Sequence, residues 1–181
     1  HECSSAASDV YKRQGMHGTY EANLAMHGCD VMINIGARFD DRVTGLLSAF
    51  SPSSKKIHVD IDPSSINKNV SVDVPVGDDA ATVLAQMLEV WRRKKYSADK
   101  PALEAWWRQI NLWRQRDCLG FRQTGDVIRP QHAIRRLFEK TAERECFIST
   151  EVGQHQMWAA QYYGFDKPNR WLTSGGLGTM G

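Results

Sequence analysis

The feature that most constrains the fold is an alternation of short apolar runs and helical segments that begins at Gly15. Residues 30–36 form a short apolar run that ends in glycine, which is typical of a buried parallel strand. Residues 56–62 place apolar side chains at every second position and predict another strand, which Pro63 ends. Strands that alternate with helices in this way predict an α/β, Rossmann-like domain with a parallel sheet.

Helices are predicted before, between and after these strands. Thr19 is a suitable N-cap for a first helix, and residues 43–50 are expected to be helical. After the short apolar stretch 72–76, Asp78 or Asp79 caps a longer helix. The apolar residues of that helix lie on one face: Val83, Leu84, Met87, Leu88 and Trp91.

A polar link, residues 96–100, leads to a second α/β unit. Pro130 suits the first turn of a helix, residues 146–150 and 171–173 predict short strands, and a helix is expected over residues 153–163. The helix that follows the link carries a stripe that helical spacing explains as core or inter-domain packing, with a cofactor surface as the alternative. The stripe consists of Leu103, Trp106, Trp107, Ile110 and Trp113.

The composition is that of a globular protein with no nucleic-acid footprint. Hydrophobic residues make up 41% of the 181 residues and charged residues 24%, which excludes the compositional signature of disorder. The formal net charge is +2. The densest basic cluster, residues 92–95, ends a predicted helix, where it complements the helix dipole.

Neither the cysteines nor the apolar runs indicate export or a membrane span. No run approaches the ~18 apolar residues of a membrane helix, and no signal-like segment opens the chain. Residues 1–14 are polar, rich in Ser and Ala and aperiodic, so we expect a disordered or foreign tail. Four scattered cysteines without a C-x-x-C pair favour reduced, buried thiols in a cytosolic protein: Cys3, Cys29, Cys118 and Cys146. Because no targeting segment is seen, we expect a cytoplasmic protein of a prokaryote.

Three loops lie where parallel α/β sheets bind ligands, at or near strand and helix ends. The segment Gly36-Ala-Arg-Phe-Asp-Asp-Arg42 joins a glycine to two arginines that can bind phosphate or carboxylate, with a surface ion-pair network as the alternative. Asp60 and Asp62 can accept from sugar hydroxyls, or form a turn and a helix cap. Gly15-Met-His-Gly18 precedes a helix N-terminus, which favours anions.

The C-terminal stretch predicts a further ligand site. Residues 174–181 contain four glycines, which let the backbone approach a bulky ligand. His155 can be a general acid, a ligand donor or an ordinary residue of a helix N-terminus, and its spacing does not decide among these. Neither G-x-G-x-x-G after the first strand nor a P-loop occurs, so a nucleotide would be held in another manner. The chain is therefore expected to be part of an enzyme.

Five motifs carry a family resemblance, in order and in spacing. They are Gly15-Met-His-Gly-Thr-Tyr-Glu-Ala-Asn, Gly36-Ala-Arg-Phe-Asp-Asp-Arg, His58-Val-Asp-Ile-Asp-Pro, Gly153-Gln-His-Gln-Met-Trp-Ala-Ala-Gln and Trp171-Leu-Thr-Ser-Gly-Gly-Leu-Gly-Thr-Met-Gly. Together they resemble the large catalytic subunits of acetolactate synthase (acetohydroxyacid synthase), thiamine-diphosphate enzymes of branched-chain amino-acid synthesis.

The resemblance implies a central FAD-binding domain over residues 15–122 and the first part of a thiamine-diphosphate-binding domain over residues 123–181. It implies FAD contacts at Gly15, Met16, His17, Gly18, Gly36, Ala37, Arg38, Phe39, Asp40, Asp60, Ile61, Asp78, Asp79, Gly175 and Gly176. It implies thiamine diphosphate contacts at Val152, Gly153, Gln154, His155, Gly178, Thr179 and Met180. Met16, Asp41 and Arg42 are implied to lie near the substrate channel.

The implied transferase reaction condenses two pyruvates to 2-acetolactate, or pyruvate with 2-oxobutyrate to 2-aceto-2-hydroxybutyrate, with loss of carbon dioxide. The resemblance puts the activating glutamate and the Mg²⁺ ligands outside this chain, so no catalytic residue or metal ligand is expected within it. It implies a homodimer or homotetramer with a regulatory small subunit. Another FAD-containing carboligase, such as glyoxylate carboligase, and a non-catalytic flavin-binding module are the alternatives.

Overall fold

The computed structural model describes residues 15, 18–165, 167 and 169–180. The chain divides into two compact units. The central unit is Tyr20–Arg116, and the terminal unit is Asp117–Gly181 together with the segment that ends at Thr19. The predicted tail, residues 1–14, and the predicted ligand residues Met16 and His17 lie outside the described residues.

Three parallel strands form the sheet of the central unit. They are β1 (Val31–Ile35), β2 (Lys55–Asp60) and β3 (Val74–Gly77), in the spatial order β1-β2-β3. Ile35 pairs with Val59, so β1 and β2 end side by side. The predicted α/β class with a parallel sheet is confirmed.

Four helices accompany this sheet in the central unit. They are α1 (Tyr20–Gly28), the short α2 (Asp41–Thr44), α3 (Ala80–Lys94) and α4 (Lys100–Arg114). α1 begins directly after the threonine that was expected to cap it, and it packs against α4. α3 contacts β2 and buries Val83, which lies on the predicted apolar face.

The single helix predicted over residues 43–50 is wrong. α2 ends at Thr44, and a separate 3-10 turn spans Leu47–Ala49. Gly45 interrupts the helix, because its φ of 57° and ψ of −125° lie far from helical values and are accessible to glycine without a Cβ clash.

The second predicted strand also ends earlier than expected, at Asp60 instead of Asp62. Asp62 instead caps the 3-10 turn Pro63–Ser65, and its Oδ1 accepts from the backbone N of Ser64 at 2.9 Å. Hydrogen bonds from Ser64 lower the pKa of the Asp62 carboxyl. A carboxylate that accepts from the chain two residues ahead favours a turn over a continued strand.

The apolar faces of α3 and α4 stay largely uncovered within the central unit. Leu88 and Trp91 of α3 are 54% and 48% exposed, and no residue of α4 is buried. The stripe of α4 is expected to serve core or inter-domain packing, and within this unit it is only partly buried, against α1, so its inter-domain role stays a prediction. Trp106 and Trp113 pack edge-on, with ring centroids 5.7 Å apart.

The described residues of the terminal unit form two helices and a two-stranded parallel sheet. Its elements are α5 (Pro130–Thr141), β4 (Ile148–Thr150), α6 (Gln154–Tyr162) and β5 (Trp171–Thr173). β4 is shorter than the predicted strand 146–150 and pairs with β5 in parallel. α5, α6 and β5 lie where the sequence pattern predicts them.

Asp73 joins β2 to the segment before β3, and this contact gives a pH-dependent prediction. Its carboxylate accepts from Lys55 Nζ at 2.9 Å and from the Lys56 backbone N at 2.8 Å. The hydrogen bond from Lys55 and that from the Lys56 backbone lower the pKa of Asp73. A lowered pKa stabilises the fold above the unfolded-state value of about 3.9, and this contribution is lost as the pH falls through the folded-state pKa.

We therefore expect Asp73→Asn to lower the melting temperature slightly at neutral pH, because the pair is exposed. The difference from the wild type should shrink as the pH approaches about 3. Thermal melts across this pH range measure it, with Asp126→Asn at another exposed position as the control. A difference that is constant with pH, or equal in both variants, contradicts the prediction.

Candidate functional site

The first candidate site is the edge of the central sheet at which all three strands end. β1 leads into the loop 36–40, β2 ends at Asp60 beside Gly77 of β3, and two aspartates follow β3. The structure therefore brings a large part of the predicted FAD set to one edge of one sheet. These residues are Gly36, Ala37, Arg38, Phe39, Asp40, Asp60, Ile61, Asp78 and Asp79.

Gly36 makes the turn out of β1. Its φ is +63°, a left-handed value that glycine adopts without strain, and its N–H donates to Val59 O at 2.8 Å. Among the described residues, no heavy atom lies within 4 Å of the position that a Cβ would occupy. The backbone is therefore open to a ligand at this turn.

Side chains from neighbouring elements bind the carbonyl oxygens of residues 36–40, the 36–40 loop. Asn34 Nδ2 donates to Ala37 O at 2.7 Å, and His58 Nε2 lies 3.0 Å from the same oxygen. Asn69 Nδ2 donates to Phe39 O at 2.7 Å. The buried Phe39 ring packs edge-on against the His58 ring, with centroids 5.1 Å apart. The loop conformation is thus fixed by side chains outside the loop.

The charged side chains of this loop are only weakly engaged with each other. Arg38 Nη2 lies 3.6 Å from Asp40 Oδ2, and the arginine side chain is 77% exposed. Asp40 Oδ1 is buried, and it has no hydrogen-bond partner within the described part of the chain. Ile61 and the predicted channel residues Asp41 and Arg42 are exposed. An exposed guanidinium beside an unsatisfied carboxylate oxygen is chemistry that a polar ligand can complete.

The aspartates of the edge already serve the backbone. Asp60 Oδ1 accepts from Asp62 N at 2.9 Å, and Asp78 Oδ1 accepts from Asp79 N at 2.7 Å. Asp79 Oδ2 accepts from Thr82 N at 3.0 Å, so Asp79 and not Asp78 caps α3. The alternative that these carboxylates form turns and caps is therefore confirmed for these oxygens.

The second candidate site lies where β4 and β5 end in the terminal unit. Thr150 pairs with Thr173, so the segments that follow both strands start side by side. Val152 N donates to Thr179 O at 3.0 Å, which joins the two segments. The structure thus brings the predicted thiamine diphosphate residues together in two adjoining segments, which contain Val152, Gly153, Gln154, His155, Gly178, Thr179 and Met180.

The N-terminus of α6 opens the first of these segments. Gly153 is its N-cap residue, has φ 156° and ψ −172°, and provides no side-chain cap. This backbone region is almost restricted to glycine. Gln154 and His155 are exposed on the first turn, and the helix N-terminus carries N–H groups and a dipole that favour an anion.

The glycine-rich segment after β5 closes into a tight loop. Gly178 N donates to Ser174 O at 2.7 Å, and Ser174 Oγ donates to Thr179 Oγ1 at 2.7 Å. Gly178 has a φ of +70°, while Leu177 and Met180 are 95% and 74% exposed. The loop is therefore internally bonded, and it presents its large side chains to solvent.

A chain of part-buried polar contacts connects α6 with both strands of the terminal unit. Gln156 Nε2 donates to Thr173 Oγ1 at 2.6 Å, and Thr150 Oγ1 donates to the same oxygen at 3.1 Å. Trp171 Nε1 donates to Thr150 Oγ1 at 3.3 Å. This network fixes the helix N-terminus relative to the strand that carries the glycine-rich loop.

Sequence reasoning missed the side chains that support these loops. Asn34 and His58 are polar residues inside otherwise apolar strand patterns, which is a signal that could have found them. Gln156 lies inside a predicted ligand motif, but it is 6% exposed and points to structural use. Asn69 lies in an irregular polar segment and gives no comparable signal.

The remaining predicted FAD residues belong to the terminal unit. Gly18 N donates to Gly15 O at 3.0 Å, and Gly15 is buried. Gly175 and Gly176 are exposed in the loop after β5. Their predicted contribution to a shared FAD site stays a prediction.

The described part of the chain offers neither a metal centre nor a membrane-spanning helix. No group of three or more His, Cys, Asp or Glu side chains is arranged to hold a metal ion there. No helix among those residues has the length and apolar character that a membrane crossing requires.

Comparison with known proteins gives the class of the chain first. Residues 5–87 match the family model described as thiamine pyrophosphate enzyme, central domain. Residues 151–181 match the model described as thiamine pyrophosphate enzyme, C-terminal TPP binding domain. The chain therefore belongs to the thiamine pyrophosphate enzymes.

Within this class, the relatives are acetolactate synthase large subunits. The chain is 48% identical over 167 residues to the acetolactate synthase isozyme 3 large subunit of Escherichia coli (strain K12), which covers 92% of this chain and 29% of that protein. It is 45% identical over 169 residues to the chloroplastic acetolactate synthase of Arabidopsis thaliana, covering 92% of this chain and 25% of that protein. The chain thus spans less than a third of the length of these relatives. The comparisons do not favour the two alternatives, another FAD-containing carboligase or a non-catalytic flavin-binding module.

Proposed function

We propose that this chain is the middle segment of an acetolactate synthase catalytic subunit. The reaction would condense two pyruvates to 2-acetolactate, or pyruvate with 2-oxobutyrate to 2-aceto-2-hydroxybutyrate, with loss of carbon dioxide. Residues 15–122 would form the central FAD-binding domain, and residues 123–181 would begin the thiamine-diphosphate-binding domain. The observation that carries the proposal is the Val152–Thr179 hydrogen bond, which joins the two segments that resemble the diphosphate-binding motifs.

The terminal unit has the features that thiamine diphosphate requires. Gly153 leaves the N-terminus of the nine-residue helix α6 without a side-chain cap, so the helix N–H groups can bind a diphosphate. A Cβ on Gly178 would meet no heavy atom within 4 Å among the described residues, which leaves room beside that backbone. When bound, the cofactor supplies carbanion stabilisation, while the protein supplies binding and orientation. Val152, Gln154, His155, Thr179 and Met180 would complete its contacts.

The edge of the central sheet has the features that a flavin dinucleotide requires. Gly36 leaves its backbone open, Arg38 is exposed, and one buried oxygen of Asp40 has no partner within the described residues. The open backbone at Gly36 and the Arg38 guanidinium suit a diphosphate, which glycine turns and guanidinium groups recognise, whereas the Asp40 oxygen can only accept and suits a hydroxyl or N–H donor of the ligand. Asp60 and Asp79 already accept from backbone N–H groups, so we propose that they shape the edge and contact sugar hydroxyls through their remaining acceptor capacity.

The rest of the assembly is proposed on the resemblance. Mg²⁺ would be bound by residues outside this chain. The catalytic glutamate would also come from elsewhere in the subunit. We propose a cytoplasmic homodimer or homotetramer of catalytic subunits, joined by a regulatory small subunit.

A chimera tests this function. The 167-residue matching segment of the Escherichia coli relative is replaced by the corresponding segment of this chain. With thiamine diphosphate, Mg²⁺ and FAD, we expect the purified chimera to convert pyruvate to acetolactate, measured after acid decarboxylation to acetoin. The isolated 181-residue chain should form none, since the proposed base and metal ligands lie outside it. A folded chimera that binds both cofactors without forming acetolactate contradicts the proposal.

A further inference from the structure

The hydrogen bonds to the carbonyl oxygens of the 36–40 loop also fix the direction of two backbone N–H groups. A peptide group is planar, and in its trans form the C=O and the following N–H point in opposite directions. Asn34 and His58 hold Ala37 O and thereby fix the direction of the Arg38 N–H. Asn69 holds Phe39 O and fixes the N–H of the next residue in the same way.

The two N–H groups fixed in this manner are those of Arg38 and Asp40. Each points away from the side chain that binds the carbonyl of its own peptide group. Within the part of the chain that the structure describes, neither N–H donates a hydrogen bond. Backbone N–H groups that are held in place and unsatisfied, beside an arginine that is 77% exposed, are suited to binding an anion.

We propose that Asn34, His58 and Asn69 are positioning residues that present the Arg38 and Asp40 N–H groups to the diphosphate of the flavin dinucleotide. This inference rests on the proposed function of the 36–40 loop as a flavin site. It assigns a binding role to three side chains that do not themselves contact the ligand.

The burial of His58 supports a positioning role, because the side chain is not an exposed polar group that water could satisfy. The His58 side chain is fully buried, and its Nε2 faces Ala37 O, which can only accept, so the hydrogen lies on Nε2. Nδ1 is buried without a partner among the described residues. An apolar side chain would fill the same space without this unsatisfied atom. The polar contacts of His58 are the bond to Ala37 O and the longer approach of Nε2 to Asp60 Oδ2, at 3.7 Å.

Flavin titration of the chimera tests the role of these side chains. We expect His58→Leu, which removes the donor, to weaken FAD binding about tenfold, and Asn69→Ala to weaken it severalfold. ADP, which shares the diphosphate, should lose affinity by the same factor. His58→Gln keeps an N–H donor and should restore most of the affinity. Loss of FAD affinity without loss of ADP affinity would overturn the assignment to the diphosphate.

Lys56→Met is the matched control for His58→Leu. Lys56 lies two residues earlier in β2 and is also buried, and its Nζ donates to Ser51 O and Ser54 O at 2.8 and 3.2 Å. Its loss removes a buried donor without touching the 36–40 loop. We expect similar destabilisation in thermal melts but wild-type FAD affinity. An equal loss of FAD affinity in both variants would show that His58 acts only through stability.

Limited trypsin digestion of the 181-residue chain tests the positioning without any ligand. Cleavage after the exposed Arg38 requires the loop to leave its hydrogen-bonded conformation. We expect His58→Leu and Asn69→Ala to accelerate this cleavage about tenfold relative to cleavage within residues 92–95, and Lys56→Met to leave the ratio unchanged. An unchanged ratio in the first two variants overturns the inference. A faster ratio in a chimera that binds no FAD refutes the flavin site but retains the loop support.

Discussion

Replacing Trp171 by alanine is expected to cost the terminal unit about 3–5 kcal/mol of unfolding free energy, the range for a large buried aromatic side chain. Trp171 is 2% exposed and stacks on Phe165, with ring centroids 5.5 Å apart. Its Nε1 also donates to Thr150, so the change breaks the polar network as well as the aromatic packing. Urea unfolding of the 181-residue chain, followed by circular dichroism, measures the loss.

Leu172→Ala provides the control in the same strand. Leu172 is adjacent in β5 and 53% exposed, so its truncation should change the unfolding free energy by no more than about 1 kcal/mol. If the two variants lose the same free energy, Trp171 is not the core residue of this unit. A transition that splits only in the Trp171→Ala variant would show that the terminal unit unfolds separately from the central one.

Replacing Gly153 by alanine is expected to weaken thiamine diphosphate binding to the chimera by about fivefold to about 150-fold, which corresponds to the cost of about 1–3 kcal/mol for such backbone strain. The φ of 156° and ψ of −172° are strained for a residue with a Cβ. A Cβ at this position would also lie 3.0 Å from the His155 ring. Relief of the backbone strain or of the contact with His155 would move the N-terminus of α6, at which the diphosphate would bind.

The half-saturating thiamine diphosphate concentration for acetolactate formation measures this effect, and intrinsic fluorescence gives binding without turnover. Gly77→Ala is the control, because Gly77 has no left-handed φ and a Cβ there meets no described heavy atom within 4 Å. FAD affinity should be unchanged in the Gly153→Ala variant, because Gly153 is not among the predicted FAD contacts. Equal half-saturating concentrations for wild type and Gly153→Ala would contradict the proposal that the diphosphate binds at the N-terminus of α6.

Local patterns predicted most elements because their causes are local. The alternation in residues 56–61 predicted β2, and the glycine at position 36 predicted the end of β1. Both strands are present and pair in parallel, β2 also with β3. The prediction of a helix over residues 43–50 was wrong because Gly45 has a positive φ. Glycine can adopt such a φ without a Cβ clash but does not have to. Whether a glycine uses that freedom depends on the surrounding chain.

Burial was harder to predict than periodicity. The apolar faces of α3 and α4 have the spacing of packed helices, yet Leu88 and Trp107 are 54% and 49% exposed. An amphipathic pattern states that a face can be covered and does not state by what. In the central unit α4 packs mainly against α1, and this contact leaves much of its apolar face exposed.

By itself, the sequence determined the α/β alternation and the family, and it predicted which segments bind ligands, because periodicity and motif spacing are properties of the chain. Only the tertiary structure decided which side chains support the loops. His58 reaches Ala37 across 21 residues, Asn69 reaches Phe39 across 30, and Val152 meets Thr179. These contacts depend on strand register and on loop closure, and a shift by one residue would turn His58 to the other face of the sheet.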